Sequence, residues 1–364
     1  MELTRRNFAH FLGAAGVATL ATRAGLTLAA EPSVRGGTGP MSVEQRLAPI
    51  APELRPAARD MIENGFPPIT EETLRNMPAD GGPQPSELIL GIPVVERDVP
   101  AHGALPAVKV FVVNARPGHS RPAILHTHGG GFILGSARGE LRYLQETAQA
   151  LDCVIVSVEY RLAPAASYVK SVEDNYAGLK WLHANAAALG ADQARIAVMG
   201  ESAGGGHAAL LALRARDRGE IPLVFQSLVY PMLDDRTGSA VAMPHHVATV
   251  GWTAAENRLG WDSFLGVRAG GEGVPAEAVP ARYENLAGLA PAWIGVGGVD
   301  LFVSEDIEYA RRLTLADVPT ELLVIPGAFH GFDRMAPTTS LAQRFTRSKI
   351  AALRRAFGGD PTAS

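Results

Sequence analysis

A serine lies between two closely spaced glycines in the stretch MGESAGGGHA. The pattern G-x-S-x-G is made by Gly200, Glu201, Ser202, Ala203 and Gly204. An apolar run precedes it and a helical pattern follows, so the serine stands where a strand turns into a helix. Such a turn brings backbone segments close together, which requires small residues on both flanks, and it exposes the hydroxyl at the carboxyl end of a sheet. Ser202 is therefore a candidate nucleophile.

A second glycine cluster precedes the serine by about seventy residues, in HTHGGGFILGS. Its glycines, Gly129, Gly130 and Gly131, follow a buried strand pattern. Glycines allow backbone N–H groups to approach a carbonyl oxygen closely, and N–H groups at that place could stabilise an oxyanion formed by attack of the serine. Taken alone, the cluster could be an ordinary flexible loop. Together with the serine motif, it favours acyl-transfer chemistry.

A serine hydroxyl needs a base, and the base needs a carboxylate that orients it. Among ten histidines, His330 follows a late strand pattern in ELLVIPGAFHGF and is the candidate base. Asp300 directly follows the preceding strand pattern, AWIGVGG, and is the first choice for the acid. Asp306 is the second choice, because Glu305 and Asp306 fit the first turn of a helix, where acidic residues favour the helix dipole.

Strand and helix patterns alternate along most of the chain, which predicts a mostly parallel sheet with helices on both faces. ELILGIPVVERDVP and AVKVFVVN are expected to form paired early strands. The longest helical patterns cover residues 139–151, 171–189, 203–217, 253–265, 304–316 and 339–357. These elements would carry the serine, the acid and the histidine at one edge of the sheet.

Composition excludes several classes of function. The 364 residues carry a net charge of −4 without a basic stripe, which argues against nucleic acid as a partner. Cys153 is the single cysteine, so an intramolecular disulfide is excluded. We expect neither a metal nor an organic cofactor, because no His/Cys/Asp cluster has ligand spacing. Adjacent side chains such as His245 and His246 diverge.

The N-terminal segment resembles a bacterial twin-arginine export signal. Thr4 to Phe8 match the pattern Ser/Thr-Arg-Arg-x-Phe, and a short apolar stretch follows that ends in small residues at Ala29 and Ala30. The stretch is too short for a comfortable membrane span. We expect export by the twin-arginine machinery and a periplasmic or secreted protein without a membrane span in its mature form. A retained anchor or an amphipathic helix is the alternative.

The motifs HGGGF, VEYRLAP, GESAGG, YPMLDDRT, DLF and HGF together resemble the bacterial hormone-sensitive-lipase-like esterases, the family IV carboxylesterases of the α/β-hydrolase superfamily. The resemblance extends from about Ser42 to Phe357. It implies an α/β-hydrolase fold: a mostly parallel eight-stranded sheet, helices on both faces and a helical cap. The site residues that it implies are a triad of Ser202, Asp300 and His330 and oxyanion donors on Gly130, Gly131 and Ala203, with His128 bracing the glycine loop. Glu201 stands where many relatives have aspartate.

The same resemblance implies the domain organisation. The expected segments are a signal peptide at 1–30, a linker at 31–41, an N-terminal helical cap segment at 42–86, a catalytic domain at 87–233 and 285–364, and a cap insertion at 234–284. The implied function is hydrolysis of short to medium acyl esters, small-molecule substrates, through an acyl-enzyme. A deacetylase, lactonase or amidase could use the same triad. A non-catalytic ligand-binding protein of this fold is the alternative from another class, and the ELLVIP strand could pair two copies into a homodimer.

Overall fold

The computed structural model describes residues 41–65, 68–75, 87–103 and 105–359. The predicted signal peptide at 1–30 and nearly all of the linker at 31–41 lie outside the described residues. Export and the periplasmic or secreted location therefore stay predictions. The same holds for the predicted domain boundaries.

One sheet of eight strands organises the described chain. Its strands are β1 (Val94–Val99), β2 (Val108–Val113), β3 (Arg121–Thr127), β4 (Val154–Val158), β5 (Ala191–Glu201), β6 (Phe225–Val229), β7 (Ala292–Gly297) and β8 (Thr320–Ile325). They lie side by side in the order β1-β2-β4-β3-β5-β6-β7-β8. β2 is antiparallel to both of its neighbours, β1 and β4, and the remaining pairs are parallel. The mostly parallel eight-stranded sheet expected from the sequence is thus confirmed.

Helices cover both faces of this sheet. Those of the described residues are α1 (Val43–Leu47), α2 (Arg55–Asn64), α3 (Glu71–Arg75), α4 (Leu141–Leu151), α5 (Tyr168–Leu189), α6 (Ala203–Arg218), α7 (Ala254–Leu265), α8 (Val303–Leu315), α9 (Phe332–Met335) and α10 (Ser340–Ala356). One hydrophobic core lies between the sheet and α5, α6 and α8, and the other lies between the sheet and α4 and α10. Strands such as β4 are buried along their whole length, as expected for parallel strands covered on both faces.

The first strand is shorter than the sequence pattern indicated. The prediction of a strand through ELILGIPVVERDVP is wrong for its first half, because β1 begins only at Val94. The side chain of Gln145 binds this preceding segment instead: it accepts from Ile89 N (2.7 Å) and donates to Ile89 O (3.1 Å) and Ile92 O (2.7 Å). Gly91 has φ +84°, which an extended strand does not allow. A buried side chain thus replaces the strand partner that the alternating pattern suggested.

The site lies where these elements end. β5 leads into α6, β7 into α8, and β8 into a loop before α9, so three loops meet at the carboxyl edge of the parallel strands. None of the helices within the described ranges combines the length and the apolarity that a bilayer span requires.

Candidate active site

Ser202 occupies the tight turn between β5 and α6. Its backbone has φ 57° and ψ −123°, an unusual conformation for a residue with a side chain. A Cβ on Gly200 would lie 2.2 Å from Gly204 O, and a Cβ on Gly204 would lie 2.0 Å from Thr127 O. Both glycines are therefore required by the close approach of backbone atoms, for the reason inferred from the sequence. The turn holds the serine hydroxyl outside the helix.

The structure brings Ser202, His330 and Asp300 into one chain of hydrogen bonds. His330 Nε2 lies 3.0 Å from Ser202 Oγ, and His330 Nδ1 donates to Asp300 Oδ2 at 2.8 Å. The other oxygen of Asp300 accepts from Phe302 N at 3.0 Å, which fixes the carboxylate plane. Ser202 is 8% exposed and Asp300 is 1% exposed. This is the geometry in which a histidine can remove the serine proton while a buried carboxylate orients the ring.

The glycine loop lies directly beside the serine. A Cβ on Gly129 would lie 3.5 Å from Ser202 Cβ, and Gly130 and Gly131 have φ angles of +119° and +59°. Ala203 is the first residue of α6, so its N–H has no acceptor within the helix. The loop and the helix start therefore present backbone near the serine hydroxyl, where an oxyanion would form.

His128 holds the glycine loop in place. Its Nδ1 donates to Gly129 O at 2.8 Å, and its ring stacks on Tyr160 with centroids 4.1 Å apart. The Tyr160 hydroxyl donates to His128 O at 2.7 Å. Burial lowers the pKa of His128 to about 4, so the ring is neutral at pH 7. Its contacts are those of a brace rather than of a base.

Comparison with known proteins assigns the family. Residues 124–334 match the family described as the alpha/beta hydrolase fold, which is more than half of the chain. Esterase LipI from Mycobacterium tuberculosis is 35% identical over 248 residues, 65% of this chain and 74% of that protein.

The chain belongs to the α/β-hydrolase family.

Solved structures agree with this assignment. Esterase LipW from Mycobacterium marinum has a TM-score of 0.70 with 33% identity and covers 85% of this chain and 97% of its own. A bacterial heroin esterase has a TM-score of 0.75 with 34% identity, covering 85% and 99% of the two chains. The resemblance to esterases drawn from the motifs is thereby confirmed, and the protein is a hydrolase.

A buried polar network lies behind the nucleophile turn of this hydrolase. The carboxylate of Glu201 accepts from His126 Nε2 and from the hydroxyl of Tyr143, both at 2.8 Å. The Tyr143 hydroxyl in turn accepts from the ammonium group of Lys349 on α10. Burial by itself would raise the pKa of Glu201, but His126, Lys349 and Arg334 lower it to about 2. Glu201 is therefore ionised at pH 7.

The same network reaches the histidine loop. Asp333, on the short helix α9 after His330, accepts from the Tyr230 hydroxyl at 3.0 Å. The ring of Tyr230 packs edge-on against His330, with centroids 4.8 Å apart. Burial lowers the pKa of Lys349 and raises that of Asp333, although the two groups attract each other. Polar groups under the sheet edge thus support both Ser202 and His330.

The second-choice acid, Asp306, does not contact the histidine of the hydrolase. Both of its carboxyl oxygens are buried without a hydrogen-bond partner among the described residues. Burial, together with the charges of Glu305 and Asp300, raises the pKa of Asp306 well above its ordinary value. Glu305 accepts from Leu233 N at 2.6 Å and so positions the loop that follows β6. Asp300, the first choice, is the carboxylate that is hydrogen-bonded to His330.

An aromatic cluster fills the other side of the turn. The ring of Phe132 stacks on Phe264 with centroids 4.0 Å apart and meets Trp261 edge-on. His207 lies among these rings, and neither of its ring nitrogens has a partner among the described residues. Burial lowers the pKa of His207 to about 3, which keeps it neutral. His207 is thus a packing residue, as expected, and not a second base.

Three other residues of the hydrolase have side chains that could react or bind a metal: Cys153, His245 and His246. Burial raises the pKa of the Cys153 thiol to about 12, so it is not a nucleophile at pH 7. His245 and His246 are exposed, with ring centroids 5.6 Å apart. Within the described ranges, no group of three or more His, Cys, Asp or Glu side chains is arranged to hold a metal ion.

Sequence reasoning missed the supporting residues. Lys349 lies on the same face of α10 as Phe345, Ala352 and Leu353, all buried. A lysine on an apolar helix face is a usable signal for a buried ion. Tyr143 has no comparable signal, because a tyrosine on a helix usually indicates packing alone.

Proposed function

We propose that this chain is a serine carboxylic-ester hydrolase that acts on short to medium acyl esters through an acyl-enzyme. The single observation that carries the proposal is the hydrogen-bonded chain from Ser202 through His330 to Asp300. Membership of a hydrolase family whose matched relatives are named esterases supports the reaction class.

The proposed reaction begins with attack of Ser202 on the ester carbonyl. His330 Nε2 takes the hydroxyl proton as Oγ bonds to the carbonyl carbon, and the carbonyl oxygen becomes an oxyanion. Asp300 holds the ring tautomer and stabilises its positive charge. The oxyanion would be held by the N–H groups of Gly130, Gly131 and Ala203. One such donor contributes about 2.7–4 kcal/mol to the transition state.

Two further steps complete the proposed cycle. The proton on His330 passes to the leaving alcohol as the ester bond breaks, which leaves the acyl group on Ser202. A water molecule then gives a proton to His330 as its oxygen bonds to the acyl carbon. The bond between Ser202 Oγ and the acyl carbon breaks, the carboxylic acid leaves, and the proton on His330 passes to Oγ and restores the serine hydroxyl. Apart from the ester and water, no group outside the chain is required by this sequence of steps.

The test is a hydrolysis profile of p-nitrophenyl esters from acetate to decanoate. Ser202→Ala should lower kcat by roughly 10⁴-fold or more, because the nucleophile is removed. The matched control is Ser227→Ala in β6, where the buried hydroxyl has no partner among the described residues and its loss should be tolerated. Full turnover by Ser202→Ala would contradict the proposal.

Amides, lactones and acetylated sugars belong in the same panel. Faster turnover of one of these classes than of any simple ester would leave the proposed triad in place but replace the proposed substrate class. Binding of an ester without any turnover by the wild type would favour a non-catalytic receptor.

A further inference from the structure

A short segment before α7 is anchored to two other parts of the chain. We call residues 248–252 the strap. Ala248 N donates to Val299 O at 2.9 Å, next to the acid loop. Thr249 exchanges two hydrogen bonds with Arg46 of the N-terminal region: Thr249 Oγ1 donates to Arg46 O, and Arg46 Nε donates to Thr249 O, both at 2.8 Å. The first half of the strap is therefore fixed.

The second half of the strap touches the histidine and the glycine loop. A Cβ on Gly251 would lie 3.3 Å from the Cβ of His330. A Cβ on Gly131 would lie 2.3 Å from Cη2 of Trp252, so the indole packs directly on the bare Cα of that glycine. The indole is half-buried, and the rest of it remains accessible beside the glycine loop.

The position of the indole is held from the α7 side as well. Thr253 caps α7 in a reciprocal arrangement with Glu256, whose other oxygen accepts from Ile69 N at 3.1 Å. Trp252 Nε1 donates to Asn257 Oδ1 at 3.3 Å. The orientation of the Trp252 indole is therefore fixed by contacts on both sides of the residue.

The contact between Gly251 and His330 indicates which part of an ester would lie near the Trp252 indole. In the proposed reaction, His330 Nε2 delivers its proton to the leaving oxygen, so the alcohol group must lie on the histidine side of Ser202. The strap packs against the backbone and Cβ of that histidine through Gly251, and the next residue, Trp252, packs its indole on Gly131 of the glycine loop. An alcohol group on the histidine side would therefore lie near the indole.

We propose that Trp252 is a specificity-determining residue that limits the size of the alcohol portion of the ester, an inference that rests on the proposed function. A flat ring at this place accepts a small or flat alcohol and excludes a bulky or branched one. Its removal opens the alcohol side and leaves the acyl side unchanged.

The experiment measures kcat/KM on two ester series for wild type, Trp252→Ala and Trp252→Phe. One series keeps the acetyl group and varies the alcohol from ethyl through phenyl to naphthyl and tert-butyl. The other keeps p-nitrophenol and varies the acyl chain. We expect Trp252→Ala to raise the ratio of bulky-alcohol to ethyl ester by about 10-fold or more, Trp252→Phe to give a smaller rise, and neither to change the acyl profile.

Trp181→Phe on α5 is the control for loss of another half-buried indole, and it should change neither ratio. A shift confined to the acyl series, or no shift in either series while ethyl acetate is still hydrolysed, would overturn the assignment of Trp252. If Trp252→Ala does not fold, the ratio of bulky-alcohol to ethyl ester in Trp252→Phe decides whether Trp252 limits the alcohol. Absence of any ester hydrolysis by the wild type would instead overturn the proposed function.

Discussion

Glu201 and Asp306 are both buried carboxyl groups close to the proposed catalytic residues, and their surroundings differ completely. Glu201 accepts hydrogen bonds from His126 and Tyr143 and lies near the ammonium group of Lys349. Asp306 has no partner among the described residues, and its charged neighbours are the carboxylates of Glu305 and Asp300. The pKa of Glu201 is lowered to about 2, whereas that of Asp306 is raised well above its ordinary value.

Burial penalises the charged form in both places, so the neighbours decide the outcome. Donors and cations stabilise the charge at Glu201 by more than burial costs, while two carboxylates add to the cost at Asp306. The neutral form of Asp306 adds no further negative charge beside Asp300. The comparison shows how the same functional group, a carboxyl, can support the nucleophile turn as an ion and fill space beside the acid as a neutral group.

The largest expected effect is at Glu201. Its pKa is lowered on folding from an ordinary value near 4.5 to about 2. The ionised form therefore contributes roughly 3 kcal/mol, at ~1.4 kcal/mol per pKa unit, above pH 4.5, and this is lost as the pH falls through about 2. We expect Glu201→Gln to lower the free energy of unfolding by about 3 kcal/mol at pH 7, measured by urea denaturation, and to flatten its pH dependence between 2 and 4.5.

Glu146→Gln is the matched control, because Glu146 lies on the surface of α4 in an exposed pair with Arg142. Such pairs contribute about 0–1 kcal/mol. Equal losses in the two variants would remove the distinction between a supported buried ion and a surface charge.

The second effect concerns the hydroxyl that joins Glu201 to Lys349. Tyr143→Phe removes a donor to a carboxylate and an acceptor for an ammonium group. We expect a loss of about 2 kcal/mol in the free energy of unfolding, within the range for hydrogen bonds to charged groups. Tyr309→Phe is the control, since the buried hydroxyl of Tyr309 has no partner among the described residues. An equal or larger loss in the control would show that removal of a buried hydroxyl costs this much even without hydrogen bonds, and that the partners of Tyr143 do not account for its effect.

The last effect has the opposite sign and is expected at Asp306. Its pKa is raised on folding, so the folded state keeps a proton that the unfolded chain releases above about pH 4, and stability falls as the pH rises. Each unit of the rise costs about 1.4 kcal/mol at a pH above both pKa values. We expect Asp306→Asn to raise the free energy of unfolding at pH 8 and to leave it unchanged near pH 3. The free energy of unfolding is measured by chemical denaturation at the two pH values. A lower value for Asp306→Asn than for wild type at pH 8 would indicate an ionised, stabilising Asp306.

Much of the fold could be predicted from local pattern. The turn at Ser202 follows from glycines at fixed distances, and the strands of the parallel sheet follow from continuous apolar runs. The prediction failed at residues 87–93, where the alternation is typical of a strand but the side chain of Gln145 supplies the hydrogen bonds. A contact between residues about fifty positions apart leaves no trace in a local window.

In the candidate site too, local pattern predicted some residues, and contacts between distant segments determined the others. Ser202, Asp300 and His330 were predictable because each follows a strand, and the carboxyl ends of parallel strands share one edge. Trp252, Tyr143 and the unpartnered state of Asp306 were not predictable.

What the sequence by itself determined is the set of reactive groups and the turn that exposes the serine, because glycine spacing and strand order act over short distances along the chain. Only the tertiary structure decided which groups carry charge and which residues line the site, because charge state and site lining both depend on neighbours from distant segments. Glu201 is an ion because β3 places His126 against it and α10 places Lys349 nearby. Trp252 borders the site because the strap is anchored to Arg46 and packs against His330.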